Sequence, residues 1–295
     1  MNIQAYPEFS PLKLEDGDEF YRALTDKPPL TSELTFTNLY CWRKPYNFKV
    51  SRLDGLLVVL SEINSDKKFF EPIGRGDIRS AIVKILKETK GEFIRIGEEV
   101  SGLFKDEAGI QIDYDRDNSD YLYAASDLIG LSGRKYDGKR NLIRKFKSAH
   151  EYEYLNLDAS GIGECLEFEE TWCTIKDCGS IKSLDNERQA IREMISNFSH
   201  FTLLAGAIRV NGKICAVAIA EKLKPDTLVM HVLKADPDMP GLYQLMCNEF
   251  LSRQKRDFAY VNLEQDLGVP GLRRAKESYH YLKLINKYTL RLINT

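Results

Sequence analysis

The sequence has little that would tie it to a membrane, a metal or a polyanion. Its longest aliphatic run spans only residues 56–60, far short of the ~20 residues a membrane-spanning helix needs. The first residues show no basic stretch followed by an apolar one, so no export signal is expected. Neither charge is in excess. The net charge is -2, which excludes a general polycation and leaves only a local patch to bind anions. Pairs of the form CxxC are absent. The six cysteines (Cys41, Cys165, Cys173, Cys178, Cys215 and Cys247) and the four histidines (His150, His200, His231 and His280) are scattered, whereas zinc requires four converging ligands. Buried structural thiols and no metal are therefore expected. Free thiols without an export signal point to the cytoplasm.

What the sequence does contain is a repeat. A chain of 295 residues has the length of two ordinary domains, and its parts recur in order. Residues 48–61 and 203–221 each read as two strands around a turn dipeptide, Asp54-Gly55 and Asn211-Gly212. Such dipeptides favour the positive-φ turns of β-hairpins. Each hairpin is followed by a strand, a Pro/Gly loop and an amphipathic helix (residues 78–88 and 242–253). Another strand follows, ending in acids: Glu98 and Glu99 in the first copy, Glu264 and Asp266 in the second. A final strand pair closes each half, residues 110–114 with 121–125 and 281–284 with 288–292. Gly76 to Gly241, Phe93 to Phe258 and Tyr123 to Tyr288 are each 165 positions apart.

The second copy begins earlier, with a strand at 152–157 and helices near 163–175 and 185–198. Ser183 or Asp185 is expected to cap the latter. Between the copies runs the strongest charge feature. Arg134, Lys135, Lys139, Arg140, Arg144, Lys145 and Lys147 face a single acid, Asp137, in residues 132–147. This reads as a basic linker helix, either a surface for tRNA phosphates or anionic lipid headgroups, or a solvated face paired with the acids of 113–120. The expected organisation is a domain at 1–131, a linker helix at 132–150 and a domain at 151–295. The aromatic residues Phe36, Tyr40, Trp42 and Tyr46 are expected in the first core.

This order of elements resembles the GCN5-related N-acetyltransferase (GNAT) fold occurring twice. The resemblance implies an α/β (α+β) protein of two tandem acyl-CoA N-acyltransferase-like domains, each a mixed, mostly antiparallel sheet flanked by helices. Two stretches, Leu131 to Phe146 and Asn262 to Tyr279, are similar to soluble relatives of the phosphatidylglycerol lysyltransferase C-terminal domain. The tandem layout is also similar to Fem-type aminoacyltransferases. From these resemblances follows transfer of an acyl or aminoacyl group to an amine or hydroxyl, with acyl-coenzyme A or aminoacyl-tRNA as donor.

The candidate residues lie mainly in the second copy. Ala275 and Tyr279 resemble an acetyltransferase motif, and the resemblance implies the tyrosine as general acid. A phenol within hydrogen-bond reach can return a proton to a leaving group, although a tyrosine packed at a helix end gives the same pattern. Glu264 or Asp266, beyond a strand end where α/β ligands gather, is the candidate base. Asp266 equally suits a helix cap. Gly241, Tyr243 and Gln244 open the helix expected to meet the donor, and Arg273, Arg274 and Lys276 would stabilise its anionic groups. The Gly241 loop departs from the coenzyme A pattern, because it has one glycine and the acids Asp236 and Asp238 where a phosphate needs positive potential. That departure favours the aminoacyl-tRNA donor. The first copy, with Gly74-Arg75-Gly76 as a weak phosphate loop, reads as a degenerate half. The alternative function is a non-catalytic ligand- or partner-binding protein on a duplicated GNAT fold.

Overall fold

The computed structural model describes residues 3–254 and 258–293. In chain order its strands are β1 (Ser10–Pro11), β2 (Phe48–Leu53), β3 (Leu56–Ile63), β4 (Asp66–Phe69), β5 (Ile73–Gly74), β6 (Glu92–Gly97), β7 (Ile110–Tyr114), β8 (Asp120–Ala124), β9 (Tyr152–Leu157), β10 (Leu203–Val210), β11 (Lys213–Lys224), β12 (Thr227–Ala235), β13 (Tyr260–Asn262), β14 (Lys283–Ile285) and β15 (Lys287–Leu292). The helices are α1 (Gly17–Asp26), α2 (Phe36–Cys41), α3 (Arg43–Tyr46), α4 (Ile78–Thr89), α5 (Glu98–Gly102), α6 (Ala125–Gly130), α7 (Asp137–Ala149), α8 (Cys165–Lys176), α9 (Lys182–Ser196), α10 (Leu242–Arg253) and α11 (Pro270–Glu277).

Both hairpins form as their turn dipeptides dictate. Asp54 and Gly55 have φ of 47° and 83°, and Asn211 and Gly212 have 48° and 79°. Two consecutive left-handed residues match the twist of the strands they join. α4 begins at Asp77, whose side chain accepts from the Ser80 N–H at 3.0 Å. It buries Ile78, Ala81, Ile82, Ile85 and Leu86, one stripe at helical spacing. That stripe packs with Leu56, Val58, Phe69, Phe93 and Leu290. α10 buries Leu242, Leu245, Met246, Phe250 and Leu251 of the second core in the same way. Phe36 and Tyr40 are buried as expected, while Trp42 and Tyr46 are half-buried.

The sheets do not follow the linear order of the copies. The first runs β1-β2-β3-β4-β6-β15-β7, with β5 on β3, and the second runs β14-β8-β13-β12-β11-β10-β9. The last strand of each copy therefore lies in the other copy's sheet. β15 sits between β6 and β7, and β8 sits between β13 and β14. The expected pairing of each half's two final strands is replaced by this exchange. In the second half the reason is local. Only Asn286 separates β14 from β15, and a hairpin ordinarily takes at least two loop residues.

Accordingly the compact units are discontinuous. One comprises Met1–Asp120, Gln265–Arg273 and Leu284–Thr295, and the other Tyr121–Glu264 and Arg274–Lys283. The chain divides at these four crossings rather than at 131 and 151. The segment 132–150 is not a free linker. α7 belongs to the second unit and buries Phe146, with Tyr136 buried just before it. α9 starts at Lys182 without a side-chain cap, so Ser183 and Asp185 fall inside its first turn. Cys173 and Cys178 are joined in a disulfide, and Cys41, Cys165, Cys215 and Cys247 are buried and outside any disulfide. The expectation of thiols throughout fails at that pair, where α8 ends and the chain turns back within five residues.

β15 is fixed in the first sheet by charge. The ammonium of Lys287, fully buried, lies 2.5 Å from Asp120 and 2.7 Å from Glu33. Asp120 also accepts from the Ser32 N–H at 2.8 Å, and Arg95 approaches Glu33 at 3.5 Å. Burial pushes the Glu33 carboxyl up, against the pull of Lys287. Replacing Lys287 by Met would leave two buried carboxylates without this cation. The expected loss is about 3–5 kcal/mol of unfolding free energy, read from urea denaturation.

Candidate functional site

In the second unit, β12 and β13 pair in parallel over only three residues, Thr227 with Tyr260, Leu228 with Val261 and Val229 with Asn262. Beyond them β12 continues to Ala235 beside β11 alone, so the sheet opens. His231 stands in this opening. Met230 pairs with Ala220 and Val232 with Ile219, leaving His231 as an extra residue. Such a bulge re-aims a side chain out of the regular alternation.

The imidazole of His231 lies between two carboxylates. Nε2 is 2.7 Å from Glu221 Oε1, and Nδ1 is 2.8 Å from Glu264 Oε1. Burial disfavours the charged ring, but hydrogen bonds to Glu221 and Glu264 outweigh it and raise the pKa to about 10. The ring is an imidazolium at neutral pH. The side chains of His231 and Glu221 are 3% and 5% exposed, while that of Glu264 is 21% exposed.

Glu264 has a left-handed backbone, φ 57°, uncommon for a residue with a side chain. Three bonds hold it there. Its N–H donates to Asn262 Oδ1 at 2.7 Å, its carbonyl accepts from the Tyr121 N–H at 3.1 Å, and Lys276 Nζ donates to the neighbouring Leu263 carbonyl. Lys276 thus supports the backbone around Glu264.

Tyr279 is 4% exposed, and its hydroxyl has no hydrogen-bond partner among the described residues. Burial raises its pKa well above the ordinary phenol, and Cys247, Tyr243, Tyr123 and Tyr136 reinforce the shift. Its backbone is anchored, because Tyr136 donates its hydroxyl to the Tyr279 carbonyl at 2.9 Å. Lys139 Nζ lies 4.0 Å from the centre of the Tyr279 ring and donates to Ser278 Oγ at 2.6 Å. Desolvation lowers the Lys139 pKa and pushes the Cys247 thiol up to about 12. The Tyr279 hydroxyl does not reach the surface.

A cavity of about 390 Å³ adjoins the end of β12 and the start of α10. Leu142, Trp172, Lys234, Asp236, Tyr243 and Gln244 are among the residues lining it. Lys234, itself buried, is 2.9 Å from Glu169 and 3.0 Å from Glu187, and lies 3.9 Å from the Trp172 ring centre. Gly241 has φ 96°, and a Cβ there would collide with the Leu142 carbonyl oxygen. The glycine is needed because α7 lies on the N-cap of α10. In the first unit, Gly76 likewise serves close packing, since a Cβ would come 2.7 Å from the Asp54 carbonyl.

The remaining candidates fall elsewhere. Asp266, fully buried, accepts from Arg116 at 3.1 Å, from Arg273 Nε at 2.9 Å and from the Gly268 N–H at 2.9 Å. Arg273 also meets Asp117 at 2.6 Å. Both residues belong to the first unit, whereas Glu264 and Tyr279 belong to the second. Engaged by two guanidinium groups, Asp266 ties Arg116 and Arg273 to the turn before α11 and does not cap that helix. Arg274 is exposed. Of the basic segment, Lys135 pairs with Asp127, Arg140 with Asp137 and Lys147 with Glu249, and Lys139 turns inward. Arg134, Arg144 and Lys145 are exposed and unpaired among the described residues. His231 and Glu221 escaped the sequence reading. Their signal was a charged or titratable residue inside otherwise apolar strands.

The chain matches the family of phosphatidylglycerol lysyltransferase C-terminal domains over residues 26–291. It belongs to that family. A conserved protein of unknown function from Bacteroides thetaiotaomicron is 30% identical, covering 97% of this chain and 99% of that one, with a TM-score of 0.89. L-PGS from Bacillus licheniformis is 14% identical, covering 100% and 95%, at a TM-score of 0.67. FemX is 8% identical, covering 97% and 98%, at a TM-score of 0.60. No curated protein matches the chain. The doubled fold is that of a tandem GNAT protein, as expected. No helix among the described residues is long and apolar enough to cross a membrane, and no group of His, Cys, Asp and Glu is arranged to hold a metal ion.

The raised His231 pKa sets a pH window. Its charge–carboxylate interactions contribute fully below the unfolded value near 6.5 and are lost as pH rises through about 10. Melting temperature is expected to fall across that window, and His231→Gln is expected to flatten the fall, measured by calorimetry from pH 6 to 10.

Proposed function

We propose that the protein transfers an aminoacyl group from an aminoacyl-tRNA ester to an amine or hydroxyl acceptor. The observation that carries this choice of donor is the acidic loop before the N-terminus of α10, Asp236 and Asp238. A coenzyme A pyrophosphate on this fold would need free N–H groups and positive potential there. The Leu142 carbonyl lies against Gly241 at that end, and Asp236 and Asp238 add negative charge. Membership of a lysyltransferase family and likeness to FemX support the same reading.

In this reading Glu264 faces the attacking group. As an amine adds to the ester carbonyl, its nitrogen gains positive charge, which the carboxylate stabilises before taking the proton. A C–N bond forms, the ester C–O bond breaks, and the departing ribose oxygen receives a proton from Tyr279, whose hydroxyl is otherwise unengaged. The cavity beside Tyr243 and Gln244 receives the donor's end. Arg134, Arg144 and Lys145 meet tRNA phosphates. A second reading, ligand binding without turnover, is favoured by one observation, the enclosure of Tyr279.

Three measurements test the proposal, the first separating it from binding without turnover. Purified protein incubated with radiolabelled charged tRNA and candidate amines should consume the ester, and Glu264→Gln should abolish this. Acetyl-coenzyme A at millimolar concentration should leave the melting temperature unchanged. A bound ligand at 100 times its Kd would add about 2.7 kcal/mol and shift melting by several degrees, and such a shift would overturn the donor assignment. Replacing both Arg144 and Lys145 by Ala should weaken tRNA binding and lower its log–log salt slope by roughly 1–2.

A further inference from the structure

We infer that His231 and Glu221 are positioning residues that hold Glu264 for transfer, an inference that rests on the proposed aminoacyl-transfer reading. Neither touches solvent appreciably, so neither is placed to meet substrate. Their effect runs through the one member of the triad that is accessible.

The geometry has three independent parts. The bulge in β12 turns His231 into the opening of the sheet. The left-handed backbone of Glu264, tied by Asn262, Tyr121 and Lys276, brings its carboxylate to the same place. Glu221, from β11, takes the far nitrogen of the ring and fixes its orientation. Unfavourable backbone held by surrounding bonds is a mark of functional positions. A triad serving only packing would need neither the bulge nor the positive φ, because apolar residues can replace a buried ion cluster without loss of stability.

The oxygens are divided accordingly. Oε1 of Glu264 is bound to His231, while Oε2 has no hydrogen bond among the described residues. The imidazolium carries protons on both nitrogens, each directed at a carboxylate, so it has no vacancy for the proton leaving the attacking amine. That proton goes to Oε2. The charged groups around the ring are Glu221 from β11 and Glu264 beyond β13, and Lys276 from α11 braces the backbone beside Glu264. His231 thus sets the rotamer of Glu264 and is not itself consumed.

The test uses the full chain and the charged-tRNA assay, with kcat and KM followed against pH for wild type, His231→Gln and Glu221→Gln. Expected is a roughly 10- to 100-fold fall in kcat for His231→Gln, the scale lost when an outer partner of a site residue is removed, with KM within about twofold. The fall of kcat that accompanies loss of the imidazolium near pH 10 in wild type should be absent from its profile. Glu221→Gln should change kcat in the same direction by less. Unchanged kcat and an unchanged alkaline limb in His231→Gln would overturn the inference. A nitrogen NMR spectrum of ¹⁵N-histidine-labelled protein, assigned with His231→Gln, needs no turnover. At pH 8 the His231 ring should be doubly protonated, and in Glu264→Gln it should lose one of its low-field N–H signals. A neutral ring at pH 8 would also overturn the inference. If wild type consumes no ester while the ring is doubly protonated, the transfer reading fails and the triad is left as an anchor for Glu264 alone.

Discussion

Lys287 carries an ammonium group to a place where water does not reach, and two carboxylates meet it there. Forming such a cluster is close to neutral in free energy, but breaking it strands buried charge. Its effect is therefore discrimination. A one-residue slip of β15 would turn Lys287 to the opposite face and leave Asp120 and Glu33 without it. The register of the last strand in the first sheet follows from this constraint. With β15 in place, Leu290 completes the apolar layer under α4 and the neighbouring β7 finds its partner.

Charge is used differently in the second unit. Lys276 binds backbone carbonyls, Lys234 is shared by two glutamates beside an indole, and His231 bridges two more. Each cation is held at fixed distance from a group that shapes the sheet opening or the adjoining cavity. Glu264 differs in keeping an oxygen free of protein partners while its backbone is tied on every side. Tyr279 shows the complementary pattern, with an anchored main chain and an unengaged hydroxyl.

Much of the fold was legible because its signals are local. Asp54-Gly55 and Asn211-Gly212 specify their own turns, and the apolar spacing of α4 and α10 specifies their buried faces. The repeat offset of 165 gave the doubling. Strand exchange was not legible, because alternation in β8 and β15 reports a buried face without naming the sheet that buries it. The site was read in part. Glu264 and Tyr279 stood out by position, but Asp266 looked equivalent to Glu264 until its two arginines were seen, and those arginines lie at sequence distances of 150 and 7 residues. His231 was hidden because a bulge is a property of two strands together. The Cys173–Cys178 bond was likewise invisible to a spacing rule built on metal sites.

The placement of β15 also governs how the protein can be made. A chain emerging from the ribosome ordinarily folds its first domain before the second is finished. Here the first sheet lacks the strand between β6 and β7 until residue 292 has been synthesised. Until then β6 and β7 expose unpaired edges, the kind of surface on which nascent chains associate wrongly. Completion of the first unit waits for β15 and does not follow the order of synthesis.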